Sequence, residues 1–389
     1  MPALRLDAAA LPPELDELRR DVRAFLAAET AAGRIVPHAD NWLAGWDPAF
    51  SRRLGERGWI GMTFPPEYGG SGAGSLARFV VTEELLAAGA PVAAHWIADR
   101  QSGPSLLKYG TEEQRRAYLP GIARGETSFA IGMSEPDSGS DLASVRTRAE
   151  RAGGGWTVNG TKVWTSGAHV ADAMIALVRT GPPGPSRHEG LTQLIVDLGA
   201  PGLEIRPIRL LTGEHHFNEV VLTGVFVPDD RVLGTVGDGW RQVTSELSFE
   251  RSGPERILST FPLLAAVAGR LAERGGAGGG DRGRIGAVVA RLWALRRMSL
   301  AVAARLAAGE APATEAAAVK DLGTRFEGAL VETVRLLARV EPDLASSDPL
   351  ANLLAQSVLH GPGFTLRGGT NEILRGVVAK SMLPSGEAR

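Results

Sequence analysis

The sequence contains no cysteine, which excludes disulfides, thiolate metal centres and cysteine nucleophiles together. It has no surplus of charge of either sign: 42 Lys and Arg stand against 44 Asp and Glu, a formal net charge of −2. No basic field therefore favours nucleic acid or an anionic membrane surface. No apolar run is long enough for a bilayer; FPLLAAVAG at 261–269 falls far short of the roughly 20 residues a spanning helix needs. Residues 1–30 carry charges and prolines throughout and contain no apolar signal core, so a cytoplasmic protein is expected. No internal repeat of 20–50 residues is present, and no Ser-His-Asp order suggests hydrolysis. What remains is ordinary for a globular chain: 389 residues, 44% apolar and 22% charged, enough for two or three domains.

Three stretches differ in texture. In the first, Leu15, Leu18, Val22, Phe25 and Leu26 recur at helical spacing after Pro12 and Pro13. A loop rich in glycine and proline follows at 64–75, then helical runs at FVVTEELLAAG and LLKYG, with Thr111 and Glu112 opening another. Near residue 128 the pattern shortens. Asn159-Gly160, between WTV and TKVW, predicts a hairpin with a type I′ turn. Further strands are expected at MIALV, TQLIVDL and NEVVLTGVFVP. From Trp240 the helical period returns. Ile285, Val288, Leu292, Leu295, Val302 and Leu306 form one stripe, and Val319, Leu322, Phe326, Leu330, Val334 and Leu337 another. The glycines at 275–280 read as an interhelical loop, since no strand precedes them and no Lys-Ser or Lys-Thr follows. The expectation is an α+β, mainly α chain: a helical domain at 1–127, a β domain at 128–235 and a helical bundle at 236–389.

Inside this order lie motifs that resemble the acyl-CoA dehydrogenase family: FPPEYGGSG, EELLAAGAP, GMSEPDSGSD at 132–141, NGTKVWTSGAHVADAMIALVRT, VFVPDDRVLG and the closing GGTNEILRG. The similarity runs from about residue 14 to 380, with the motifs in the family's order. It implies three domains ending in a four-helix bundle, and FAD as cofactor. It further implies that Met133 and Ser134 contact the flavin ring and its pyrimidine edge. Trp164 would lie against the isoalloxazine and Ser166 near flavin N5; spacing alone would favour Trp164 as a core strand residue, and the motif context reverses that preference. Gly139 and Ser140 would lie near a phosphate or the pantetheine chain. Arg282, in a segment similar to Arg-x-x-Phe-Gly, would reach the flavin pyrophosphate of a neighbouring subunit, with Arg284 a competing choice. Ile285 replaces the usual phenylalanine. Only Gly361-Pro362-Gly363-Phe364 precedes Arg367-Gly368-Gly369-Thr370 where the family has a longer segment, although Thr370 and Glu372 still match cofactor-contacting positions.

The reaction implied is α,β-dehydrogenation of an acyl-CoA thioester, which needs a carboxylate base of raised pKa in a dry pocket and donors on the thioester carbonyl. Many members carry that base immediately before the C-terminal Gly-Thr; here the position is Gly368. A second placement, as in isovaleryl-CoA dehydrogenases, is a glutamate just before an arginine on the first bundle helix, and Glu250 with Arg251 matches it. Glu250 is therefore expected to be the base, and the Gly368 N–H a carbonyl donor. Trp96, Asp99 and Arg100 fall where the family lines its acyl pocket and favour a short, branched or polar acyl group; Ser140 and Arg251 join them as substrate contacts. His215 and His216 lack a ligand set at metal spacing, read as loop histidines, and no metal is expected. The resemblance implies a homo-oligomer, tetramer or dimer, and an electron-transfer flavoprotein as acceptor. Two alternatives stay open: a flavin-dependent monooxygenase on the same fold, and a flavin-sharing partner subunit of a hetero-oligomer.

Overall fold

The computed structural model describes residues 4–182, 184–250, 253–276 and 278–382, the side chains of 246–250 excepted. In chain order the helices are α1 (Leu15–Ala31), α2 (Asn41–Ala44), α3 (Pro48–Glu56), α4 (Gly74–Ala87), α5 (Ala93–Ile97), α6 (Gly103–Tyr109) and α7 (Glu112–Ala123). Strands β1 (Phe129–Gly132), β2 (Arg148–Ala152), β3 (Gly155–Lys162), β4 (Ala173–Arg179), β5 (Leu191–Asp197), β6 (Leu203–Arg209), β7 (His215–Pro228) and β8 (Val232–Leu233) follow. The chain then returns to helices: α8 (Gly239–Glu250), α9 (Phe261–Glu273), α10 (Gly279–Ala307), α11 (Ala313–Ala338), α12 (Pro349–Phe364) and α13 (Asn371–Met382).

These elements gather into two compact units. One comprises Met1–Gly45, Ala73–Pro91 and Ser248–Arg389; the other comprises Trp46–Gly72 and Val92–Leu247. The first is helical. Val22, Phe25 and Leu26 of α1 are buried as their spacing predicts. Leu295 and Val302 of α10 and Val319, Phe326, Leu330, Val334 and Leu337 of α11 are buried too, whereas Leu322 is partly exposed. Buried Glu83 and Glu84 on α4 stitch this unit together: Arg19 of α1 reaches them at 3.0 and 2.6 Å, and Arg296 of α10 reaches Glu83. The glycine-rich break is shorter than its composition suggests, since α10 already begins at Gly279.

The second unit holds the sheet, ordered β6-β7-β3-β2-β4-β5-β8, with β1 pairing parallel to β4. β4 and β5 are buried on both faces, which explains their unbroken apolar runs. Met174, Ala176, Val178, Leu194 and Val196 pack on one core with Trp156 and Val158 of β3. Leu177 and Leu191 pack on another, with Val145 and Val243. Thr111 opens α7 through a capping box with Gln114, as expected from its position.

The Asn159-Gly160 hairpin does not form. β3 runs straight through both residues, and the turn lies earlier, at Gly153 and Gly154, where Ala152 pairs with Gly155 and Gly154 has φ +77°. Gly160 is needed for another reason: a Cβ there would lie 2.7 Å from Thr147 Cα. The partner strand β7 bulges opposite, between Leu222 and Val225, and the Gly224 N–H in that bulge donates to Asn159 Oδ1 at 2.8 Å. His215 and His216 are strand residues opening β7, not loop residues. β6 was not anticipated; its LEIRPIR sequence is polar and only weakly alternating.

Candidate functional site

In the sheet unit, the ends of β1, β3 and β7 converge. Leaving β1, Met133 and Ser134 turn their carbonyls toward β3: the Met133 oxygen accepts from Lys162 Nζ at 3.1 Å and the Ser134 oxygen from the Val163 N–H at 2.9 Å. The Met133 side chain packs on the core formed by Val145, Leu177, Leu191 and Val243. Lys162 Nζ also donates to Glu135 Oε1 at 2.8 Å, and Glu135 accepts from the Arg146 and Thr147 N–H groups at 2.6 and 2.9 Å. Burial pushes the Lys162 ammonium down, to about 8. Glu135 is itself disfavoured as an ion by burial, yet the Lys162 charge and its hydrogen bonds hold it below the ordinary carboxylate range. Each charge supports the other against the burial that disfavours both.

The segment after β3 presents Trp164. The residue is 57% exposed, so it is not a core tryptophan, and its ring stands edge-on to Phe217 at 5.8 Å. Its φ of +58° lies in the left-handed region, which costs a non-glycine residue about 1 kcal/mol. The surroundings enforce it. The Thr165 N–H donates to Asn218 O and the Gly167 N–H to His216 O, at 3.0 and 2.8 Å, while Asn218 Nδ2 donates to Thr165 O at 2.9 Å. His169 and His215 stack at 4.1 Å beside the same asparagine. Ser166 is half-buried within this held loop. A strained, exposed aromatic on a rigid loop marks a ligand-contact position better than a packing one. Gly139 and Ser140 are exposed, and no protein atom lies within 4 Å of a Cβ built on Gly139. Folding does not require glycine there, so any demand for one falls on what docks.

The expected acyl-pocket residues are also in this unit. Trp96 is buried, and the Arg100 guanidinium lies 4.6 Å from its ring centroid. Asp99 is buried and accepts from the Gly61 N–H at 2.7 Å. The three sit where α5 passes through a π-helical turn, Ala98–Ser102, into α6; such bulges often accompany functional sites.

The helical unit carries the other candidates. Gly368 has φ +67°, and a Cβ added to it would lie 2.7 Å from Arg256 Nη2 and 3.1 Å from Arg256 Cζ. A fully buried guanidinium thus stands where a side chain on 368 would start. Arg256 and Arg367 lie over the Trp42 ring, at 5.2 and 4.6 Å from its centroid. Arg367 pairs with Asp40 and donates to Ser259 Oγ at 3.2 Å. Beneath lies Glu327 of α11, wholly buried and accepting from the Ser259 N–H at 2.7 Å; burial pushes its carboxyl up to about 7. On the far side of the loop, Lys320 donates to Thr365 O and Asn371 Oδ1 at 3.1 and 2.7 Å. The Gly368–Thr370 segment is therefore tied down at both ends. Thr370 accepts from the Ile373 N–H, and Glu372 is exposed in the first turn of α13. Gly361–Phe364 forms the last turn of α12. Arg282, near the start of α10, lines a shallow groove of about 550 Å³ with Ile285, Gly286, Val289, Ala290 and Trp293. Arg284 pairs with Asp281 at 3.1 Å. Glu250 ends α8, with its side chain outside the described residues, and Arg251 lies outside them altogether.

The sequence reading passed over Lys162, Glu135, Arg256 and Glu327. Lys162 alone left a usable signal: strand alternation puts it on the inward face with Trp156 and Val158.

The chain is thus mainly helical α+β with a central sheet, an exposed and strained tryptophan in the sheet unit and a tethered glycine loop in the helical unit. Residues 12–126 match the model described as "Acyl-CoA dehydrogenase, N-terminal domain", and residues 130–225 match "Acyl-CoA dehydrogenase, middle domain". The chain is 35% identical to acyl-CoA dehydrogenase FadE29 of Mycobacterium tuberculosis, covering 96% of this chain and 97% of that one. It is also 35% identical to acyl-CoA dehydrogenase FadE34 of the same organism over 93% of its own length, but spans only 48% of that longer protein. Among solved structures it is similar to the Tcur3481-Tcur3483 steroid ACAD, with TM-score 0.84, 31% identity and coverage of 96% of this chain and 98% of that one. It also resembles the ChsE4-ChsE5 complex from Mycobacterium tuberculosis, at TM-score 0.81, 29% identity and coverage of 96% and 99%. The chain belongs to the acyl-CoA dehydrogenase family, a family of flavoprotein oxidoreductases. No described helix is long and apolar enough to cross a membrane.

Proposed function

We propose that this protein is an FAD-dependent dehydrogenase that converts an acyl-CoA thioester to the 2-enoyl-CoA, with Glu250 as the base. The observation that carries this reading is the setting of Gly368. Its positive φ and the Arg256 guanidinium together make a side chain costly at the position where many relatives carry their base. Glu250 then remains as the carboxylate in the alternative placement. Met133, Ser134, Trp164 and Ser166 would hold the flavin ring, Gly139 and Ser140 would border a phosphate or the pantetheine chain, and Thr370, Glu372 and another copy's Arg282 would hold the remainder. The fit is chemical: an exposed aromatic beside the Met133–Ser134 segment suits a flat heteroaromatic ring. When bound, FAD supplies the acceptor for the substrate's β hydride. The chain's own contribution is to remove the α proton at the Glu250 carboxylate and to donate from the Gly368 N–H to the thioester carbonyl, where negative charge develops. An electron-transfer flavoprotein is the proposed acceptor.

For the acyl group, Asp99 is already engaged by Gly61, which weakens the case for a polar chain. Likeness to a structure titled a steroid ACAD favours a bulky, ring-bearing acyl group. A second reading concerns assembly. Two similar structures are named for two different chains, and FadE34 is about twice as long as the segment matched here. These favour a hetero-oligomer in which this chain shares flavin sites with a partner subunit. One experiment addresses both. The purified chain, alone and with candidate partner chains, is titrated anaerobically with straight, branched and polycyclic acyl-CoA thioesters while flavin absorbance is followed. Bleaching by one class, lost in Glu250→Gln with flavin retained, supports the dehydrogenase and its base. Bleaching that survives Glu250→Gln overturns the base assignment, and flavin binding only with a partner supports the shared site.

A further inference from the structure

The ion pair beneath the Met133–Ser134 peptide has no part in the chemistry just described. Lys162 is 0% exposed, and both partners are buried. Burying two charges usually stabilises a fold no better than an apolar pair of similar volume, so its presence calls for a different explanation. The geometry supplies one. Every peptide bond described in the chain is trans, so the C=O and N–H of one peptide unit point in opposite directions. Lys162 Nζ holds the Met133 carbonyl toward β3 at 3.1 Å; the Ser134 N–H, on the same peptide unit, is thereby turned away from β3. Val163 takes the next carbonyl inward at 2.9 Å, which fixes the Ser134 residue from its other side. Glu135 anchors Lys162 and is itself tied to the Arg146 and Thr147 amides.

We propose that Lys162, anchored by Glu135, is a positioning residue for the flavin: it locks the Met133–Ser134 peptide with the Ser134 N–H presented to the acceptor edge of the ring. The proposal rests on the FAD reading above. It gives the buried pair two measurable roles. It presets a donor that would otherwise have to be ordered when the cofactor binds, and through that donor it draws electron density from the ring.

The test uses the full-length protein, stripped of flavin and reconstituted. Lys162→Met removes the charge and the donor but leaves Glu135 buried; Lys162→Met with Glu135→Gln removes both charges and keeps the fold if the single variant unfolds. Loss of one charge-assisted donor predicts FAD binding weaker by about ten- to a hundredfold, with the flavin midpoint potential moved to more negative values, in the double variant as well as the single one. A purely structural pair would lower thermal stability in the single variant, recover it in the double, and leave affinity and potential at wild-type values; that result overturns the proposal. Failure of the wild-type chain to bind FAD, alone or with partner chains, would overturn the cofactor reading and this proposal with it. Wild-type binding matched by the double variant would overturn this proposal alone.

Discussion

Glu327 offers a quantitative check on the buried polar layer behind the Gly368 loop. Its carboxyl is fully buried and pushed from the ordinary 4.5 up to about 7, first by desolvation; the Arg367 charge opposes this and Asp40 adds to it. The folded state thus holds the Glu327 proton more tightly than the unfolded chain does. Stability from this group is fully present below about pH 4.5, declines as pH rises, and is gone above about pH 7. The 2.5-unit gap between 4.5 and 7 sets an upper bound of about 3 kcal/mol at 1.36 kcal/mol per unit. Glu327→Gln keeps an oxygen that accepts from the Ser259 N–H and removes the titration. Thermal unfolding of the flavin-free protein, followed between about pH 5 and pH 8, should show the wild type losing several degrees relative to the variant as pH rises. At pH 8 the variant should equal or exceed the wild type in stability. Parallel curves across that range, or a variant that loses ground as pH rises, would refute the assignment of a neutral, desolvated carboxyl at 327.

Two further substitutions separate folding from function. Gly368→Ala should destabilise the protein by about 1–3 kcal/mol, from the left-handed φ and the clash with a buried guanidinium, measured by thermal unfolding; an unchanged melting temperature would mean that Arg256 yields freely. Trp164→Gly should leave stability level or raise it by up to about 1 kcal/mol by removing αL strain from an exposed side chain, while FAD affinity falls; a large loss of stability would return Trp164 to a packing role.

The helices were legible because burial and spacing agree. α1 and α11 bury most of the residues their period selects, Leu322 being the exposed exception, and Thr111 announces α7 by its capping chemistry. The β unit was read less well where local and tertiary demands diverge. Asn-Gly is a strong turn signal, yet Gly160 is used for close packing against Thr147, and the turn went to Gly153 and Gly154 two residues before Trp156. β6 escaped because an edge strand with solvent on one side needs few apolar residues, and Pro207 argues against a strand. At the site, ordered motifs pointed to Met133, Ser134, Trp164 and Gly368. The buried charges around them were harder to see, since a lone Lys or Glu in a sequence reads as surface; strand alternation pointed to Lys162, and only the folded partners of Arg256 and Glu327 reveal the others.

The interleaving of the two units has a consequence for how the chain is made. Phe79 of α4 finds its core partners in Leu300 and Ala303 of α10, some 220 residues later. At a synthesis rate of roughly 5–20 residues per second, that gap corresponds to about 10–45 s. Throughout it the face of α4 that packs on α10 awaits a helix not yet translated, while the Val92–Leu247 part of the sheet unit can close earlier. α4 is thus translated well before it is covered, and it is where chaperone protection during translation matters most.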